Sequence, residues 1–553
     1  MGNHYAVRST ILRSYLLAAL GFAAVYAAYV LTVSPQHEFP LNDDWAYAQT
    51  VRHLLDTGQL RLSEWTATTL IFQTYWGALL ARLSGGFSFT VLRCSALLFS
   101  FVCSLTLFDL LRQLDFTDRH AFLGALVLCA NPLFIYLSYT FMSEIFFLGL
   151  MLLSLTCYMR GLKRGTTSAL LLGSLFAAGA YLARQLGVLI PVAAAVVIVL
   201  SERRLALRKI LAVALIPLTV FGVHTYWLTY VHGLPWGMQL NAIANSWRAL
   251  QSSDAGSQLF LRLSTSWLYL GLFTLPILLP QVFRHGLRQT YRTRAFKIFA
   301  VWLGVLVFLT LLFSAQRQQP FMPYWAGIIQ RDGIGPTTLA GHKLPITPDW
   351  LFWLVTTIAP VAGAAQATLW TEGMLQLFKR QLPGGILLVL VGLLMAAMTA
   401  LIVLFWDRYL LVFIPASIYL ALKIGPLSVR QQGVTVALCV ALATFALIGL
   451  GDYFSWNTAR WLAGGQLVVQ GVPPEAIDGG FEWDGWYRFE TALPQAIAAG
   501  AGEDLFGWLK LQPAQYILAY EPLGDLPVVG RVEYDVPLSN QRRAVYILAT
   551  DNP

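Results

Sequence analysis

Two adjacent carboxylates, Asp43 and Asp44, stand in the run Pro40-Leu41-Asn42-Asp43-Asp44-Trp45-Ala46-Tyr47-Ala48, directly after the first long apolar stretch. Like charges at a membrane boundary repel each other and lose hydration, which raises at least one pKa and suits a general base. The same run also reads as a helix start, with Asn42 or Asp43 as the N-cap. A third acid, Glu144, closes the run Tyr139-Thr140-Phe141-Met142-Ser143-Glu144 at the outer end of another apolar stretch. There an acid is expensive and marks a functional site, unless it serves as a favourable charge at a helix N-terminus. Cations accompany the acids. Arg408, in Asp407-Arg408-Tyr409 between two apolar stretches, has the planar fork that grips a phosphate, or it pairs locally with Asp407. Arg184, beside Gln185, occupies a tight turn. Acids and cations at one membrane face suit a reaction whose leaving group is a lipid phosphate: the acid takes a proton from an acceptor hydroxyl and the cations stabilise the departing anion.

The elements that must position these residues lie in lipid. Of 553 residues, 37 are Lys or Arg and 28 Asp or Glu, so 12% are charged, about half the roughly 25% usual in soluble domains. With 57% apolar residues, 18 Trp and a mean hydropathy of +0.61, the chain cannot be divided into water-soluble cores. The 20-residue spanning criterion yields thirteen candidate transmembrane helices near 13–33, 89–111, 120–137, 141–159, 167–183, 187–201, 210–231, 259–283, 298–314, 351–371, 385–406, 409–424 and 433–451. Residues 11–33 are too long for a signal peptide and lack a small-x-small site before Pro35, so they read as a retained helix. With a cytoplasmic N-terminus, 20 of the 31 basic residues in 1–451 fall on the inner side, and an odd number of spans puts the tail outside. Although the pI is about 9.3, the basic residues are scattered between apolar stretches, which argues against nucleic acid.

The expected organisation is a transmembrane part, residues 1–451, and an extracytoplasmic α/β tail domain, residues 452–553. The tail holds 6 basic and 13 acidic residues, against 31 and 15 in the rest. Within the transmembrane part the outer loops are 34–88, 232–258 and 315–350. The first contains Tyr47, Val51, Leu54 and Leu55 at helical spacing and the apolar run 69–83, too short to span, which together predict helices lying on the membrane surface. In the tail, 457–469 reads as a short helix and 516–520, 528–534 and 544–550 as strands. Its run Ile477-Asp478-Gly479-Gly480-Phe481-Glu482-Trp483-Asp484-Gly485-Trp486-Tyr487 has a composition suited to stacking on a carbohydrate and binding its hydroxyls, which makes Glu482, Trp483 and Trp486 candidates for acceptor recognition. A glycine-turned loop packing its aromatics onto the domain is the other reading. Gln330-Arg331-Asp332-Gly333-Ile334-Gly335-Pro336 is glycine-rich, a candidate lid or an ordinary surface loop.

The motifs resemble a known group as a set. The Asn-Asp-Asp-x-x-Tyr-Ala opening at Asn42, the run from Asn131-Pro132 to Glu144, and Asp407-Arg408-Tyr409-Leu-Leu-Val-Phe-Ile-Pro415 look like the polytopic GT-C glycosyltransferases. The likeness is to the bacterial family 39 type, related to protein O-mannosyltransferases and the lipid A aminoarabinose transferase, over roughly residues 10–425. It implies transfer of a sugar from a polyprenyl-phosphate donor to a lipid, glycan or protein acceptor with inversion, at the periplasmic face of a bacterial inner membrane. The family's first-loop acid is carried onto Asp43, its second cavity acid onto Glu144 and its phosphate-side arginine onto Arg408; Arg184 and Tyr409 flank the same phosphate. Two departures are visible: the acid pair, commonly Asp-Glu, is Asp43-Asp44, so Asp44 stays a candidate base, and the second acid, often Asp, is Glu144.

No cofactor is implied, and no metal motif appears: the five cysteines fall in proposed spans, and His37, His53, His232 and His342 lack ligand spacing. A divalent cation between carboxylate and phosphate is compatible with the residues without being called for. The rival reading is a transporter or lipid-linked sugar flippase, which would favour paired repeats and charges at the bilayer midplane; a cell-envelope scaffold is a third.

Overall fold

In the computed structural model, which describes every residue except 1, 202–206, 241–250, 252–253, 283–293, 326, 381–382, 401–404, 501–505, 511–513, 540 and 551–553, the chain is mostly helical. The basic links at 202–206 and 283–293, expected on the inner side, and most of 241–253, within an expected outer loop, lie outside the described residues. Nine described helices are long and apolar enough to cross a membrane: Leu12–Thr32, Phe89–Gln113, Ser143–Arg164, Leu207–His232, Ala255–Gln281, Arg294–Arg317, Asp349–Leu377, Pro383–Ala400 and Val429–Val469. The chain is a multi-pass membrane protein.

All thirteen expected stretches carry helix in their described residues, but four do not form one straight span. Asp118–Cys129 and Pro132–Ser138 meet at 69°. The break falls where Asn131 accepts the amides of Leu133 and Phe134 and Pro132 starts a new helix. Thr167–Ala183 is 17 residues long, and beyond it Gln185–Val188 is a 3-10 turn leading into Leu189–Ser201. The last stretch divides into a 3-10 segment, Asp407–Phe413, and the helix Ile414–Ile424, with Pro415 in its first turn. Each break delivers a chemically interesting residue to the interface: Glu144 follows the first, Arg184 sits in the second and Arg408 in the third.

The surface helices of the first loop are Asp44–Thr57 and Ile71–Leu83. The first turns its apolar stripe inward, burying Trp45, Tyr47, Val51 and Leu54. Arg93, fully enclosed on Phe89–Gln113, draws the chain ahead of it into place: its guanidinium donates to the carbonyls of Pro35 and His37 at 2.8 Å, Phe39 at 2.9 Å and Tyr139 at 3.0 Å. A buried guanidinium carries five donors that need partners, and here carbonyls meet four of them.

The expected boundary at 451 falls inside a single 41-residue helix, Val429–Val469, so 457–469 is the end of that helix and no separate element. Beyond it a four-stranded sheet forms from β3 (Ile477–Asp478), β4 (Tyr516–Ala519), β5 (Val528–Asp535) and β6 (Arg542–Ala549) in the order β3-β4-β6-β5. Only β3 and β4 are parallel. A hairpin of β1 (Ile329–Gln330) and β2 (Gly333–Ile334) occupies the glycine-rich loop. That hairpin is bolted down, not hinged. Lys343 Nζ reaches Asp452 Oδ2 and the Asp332 carbonyl, both at 2.6 Å, and Gly335, at φ +90, lies against the Tyr453 ring where any Cβ would overlap it.

Candidate active site

A cavity of about 820 Å³ opens between the first loop, the breaks at Arg184 and Arg408, the segment after the hairpin and the tail domain. Asp43, Glu144, Arg184, Arg408 and Tyr409 all line it. They form one chain of charge: Arg408 Nη2 lies 3.2 Å from Asp43 Oδ2, Arg408 Nε 3.2 Å from Glu144 Oε1, and Arg184 Nη1 2.6 Å from the same Glu144 oxygen. Trp65 Nε1 donates to the other Asp43 oxygen at 2.9 Å. The second Glu144 oxygen is buried and has no hydrogen-bond partner among the described residues. Tyr409 lies beneath both guanidinia, at 5.3 Å from Arg184 and 5.9 Å from Arg408, which limits their rotation.

The two alternative local readings resolve. Asp43 does sit at the N-cap of Asp44–Thr57, yet its carboxylate makes no capping bond and turns to Trp65 and Arg408 instead. Asp407 does not pair with Arg408 either: its two oxygens accept the amides of Ile328 and Ile329 at 2.9 Å each, fastening the start of the hairpin. Gly327 is required there, since a Cβ would overlap the Asp407 carboxylate.

Of the two adjacent acids the cavity takes one. Asp44 points into the protein, 2% exposed and absent from the cavity wall, with one oxygen unpartnered. Burial pushes its carboxyl up to about 8, so it is held protonated at neutral pH. Asp43 is also raised by burial, with Arg408 and the Trp65 hydrogen bond pulling the other way.

The tail residues expected to recognise an acceptor are placed otherwise. Glu482 is fully buried in an ion pair with Arg460. Trp483 is 1% exposed and packs on Trp461, Tyr487, Gly464 and Gly479. Trp486 packs edge-on to Phe89 and stacks on Phe87. None of the three lines the cavity. The reason is the helix Phe481–Tyr487: positions 481 and 484, three apart, share one face, and it is Phe481 and Asp484 that look into the cavity beside Asp478 and Gly480. Asp484 is raised well above the usual carboxylate range by burial and by Asp478, against Arg488. Sequence reasoning missed this pair because it weighed the run by composition, whereas reading it as a helix started by Gly480 would have selected it. Trp65, the partner of Asp43, carried no spacing signal at all.

The chain is a polytopic membrane protein whose clustered acids and arginines line one cavity, and comparison with known proteins shows what it is similar to. The family model for dolichyl-phosphate-mannose-protein mannosyltransferase matches residues 71–227, a segment that includes Glu144 and Arg184. No protein of curated function matches the chain. Among solved structures the chain is similar to the archaeal oligosaccharyltransferase AglB from Archaeoglobus fulgidus, in complex with an inhibitory peptide and a dolichol-phosphate, at 13% identity and a TM-score of 0.44, covering 81% of this chain and 57% of that one. It is also similar to ArnT from Cupriavidus metallidurans bound to undecaprenyl phosphate, at 13% identity and a TM-score of 0.38, covering 96% of this chain and 98% of that one. The chain thus spans little more than half the length of the archaeal enzyme.

Proposed function

We propose that this protein transfers a sugar from a polyprenyl-phosphate donor to an acceptor hydroxyl, with inversion, in the cavity between Asp43 and Arg408. The observation that carries the reading is the sharing of Arg408 between Asp43 and Glu144, 3.2 Å from each, in a partly apolar cavity. An incoming phosphate has oxygens spaced for the guanidinium fork and competes with Asp43 for it. As Arg408 turns to the phosphate, Asp43 loses its counter-charge and becomes a stronger base at the moment the donor is in place. The acceptor oxygen then attacks the anomeric carbon from the side opposite the phosphate. Its proton passes to Asp43, the carbon–oxygen bond to phosphate breaks, and the electron pair leaves on the phosphate, held by Arg408 with Arg184 beside it. Glu144 holds the two arginines in register for that anion. Apolar walls from Leu186, Met238, Met398 and Trp406 keep competing water out and suit a lipid chain.

In this reading the cavity and the tail domain face the periplasm of a bacterial inner membrane, a facing supported by the excess of basic residues in the expected inner segments. The test is release of polyprenyl phosphate by purified protein in nanodiscs, across a panel of polyprenyl-phosphate sugars, for wild type and Asp43→Asn. Turnover by wild type with a loss of about 100-fold or more in the variant is expected for removal of a general base; equal turnover by both would move the base elsewhere.

A further inference from the structure

Glu482 is too enclosed to meet an acceptor, and its contacts give it other work. Its side chain and that of Arg460 are each 0% exposed. One oxygen receives Arg460 Nη1 at 2.7 Å and the Thr338 hydroxyl at 2.6 Å. The other receives the Tyr453 hydroxyl at 3.2 Å and the backbone N–H of Asn42 at 3.1 Å. Three separate regions therefore converge on one tail-domain carboxylate: the long helix Val429–Val469, the segment after the hairpin, and the residue immediately before Asp43.

Asn42 stands at φ +56, in the left-handed region that L residues seldom adopt. Its conformation decides where the next side chain points. Asp43 follows at φ −70 and ψ 0 and aims its carboxylate at Trp65 and Arg408, away from the helix end it would otherwise cap. The docking around this bond is close. At Gly485 a Cβ would overlap the Trp45 indole, and at Gly480, φ +80, it would overlap the Thr338 carbonyl. Trp45, two residues beyond Asp43, is fully enclosed among Trp65, Phe481, Phe489 and Trp508. The aromatic and glycine-rich run of the tail is thus a socket for the start of the first-loop helix.

We propose that Glu482 is a positioning residue: by accepting the Asn42 amide it holds the left-handed turn that points Asp43 into the cavity, so the tail domain completes the active site. The inference rests on Asp43 being the base. It assigns Glu482 no contact with either substrate.

Removing Glu482 alone would strand Arg460 as a buried charge and risk unfolding. Paired variants avoid this. Glu482→Gln with Arg460→Gln removes both charges but keeps a carbonyl oxygen for the Asn42 amide; Glu482→Leu with Arg460→Leu removes both charges and the acceptor. Turnover is measured per folded molecule, taken from the monodisperse size-exclusion peak, with kcat and donor KM resolved and Asp43→Asn run alongside. The glutamine pair should keep kcat within about threefold of wild type, while the leucine pair loses about 100-fold, the scale on which small misplacements of a reacting group act. Donor KM should stay within about twofold in both, because Arg408 and Arg184 still hold the phosphate. Wild-type kcat in the leucine pair, or equal loss in the two pairs, overturns the positioning role while Asp43→Asn is inactive. An active Asp43→Asn instead overturns the base assignment on which the role depends.

Discussion

At the scale of single residues, neighbours in sequence have opposite fates. Asp43 and Asp44 share a chemistry and a location, yet one faces Arg408 across the cavity and the other is sealed inside. The sealed one has a measurable signature. With its folded pKa raised to about 8 against an unfolded value near ~3.9, folded Asp44 keeps a proton that the unfolded chain has released over the interval between. The folded state then binds more protons than the unfolded state, and stability declines as pH rises through that window. Asp44→Asn, uncharged at every pH, should melt at a higher temperature than wild type at pH 7 and should show a flatter dependence of melting temperature on pH between 5 and 8, with sugar transfer retained. A sharp loss of transfer in a well-folded Asp44→Asn protein would return Asp44 to the list of bases.

At the scale of elements, the site is made at interruptions. Asn131-Pro132, the extended Arg184 and the 3-10 segment Asp407–Phe413 each stop a helix at the interface, where a buried polar backbone needs partners and a charged side chain can meet the cavity. The tail helix Phe481–Tyr487 closes the opposite wall by fitting against Trp45. Gly485→Ala tests that fit: its Cβ would overlap the indole, and overpacking of this kind costs about 1–3 kcal/mol. A lower melting temperature in detergent, together with reduced transfer, is expected. An unchanged melting temperature would show that the socket has slack.

At the scale of the whole molecule, the proposed orientation in the bilayer rests on the asymmetry of basic residues, which favours inner links on the cytoplasmic side. That proposal puts the tail domain, with its excess of acids, outside. Leu538, 86% exposed between β5 and β6, offers a reporter: Leu538→Cys in a Cys94→Ser background should react with a membrane-impermeant maleimide in right-side-out membrane vesicles. Labelling only after the vesicles are opened would invert the topology and move the cavity to the cytoplasmic face.

What the sequence determined by itself was local in kind. Apolar stretches fixed the solvent as lipid, and acids and arginines at their ends marked Asp43, Glu144, Arg184 and Arg408, because hydropathy and helix-start signals are written in consecutive residues; the break at Asn131-Pro132, inside a stretch read as one span, emerged only in the structure. The tail strands at 516–519, 528–535 and 542–549 were legible for the same reason. Tertiary structure alone decided which of two adjacent acids enters the cavity, that Asp407 holds backbone amides while Arg408 crosses to the first loop, and that Glu482 serves Asn42 across 440 residues of chain. Those outcomes depend on the direction of a side chain, set by one left-handed residue and by partners distant in sequence. No periodicity or composition carries that information.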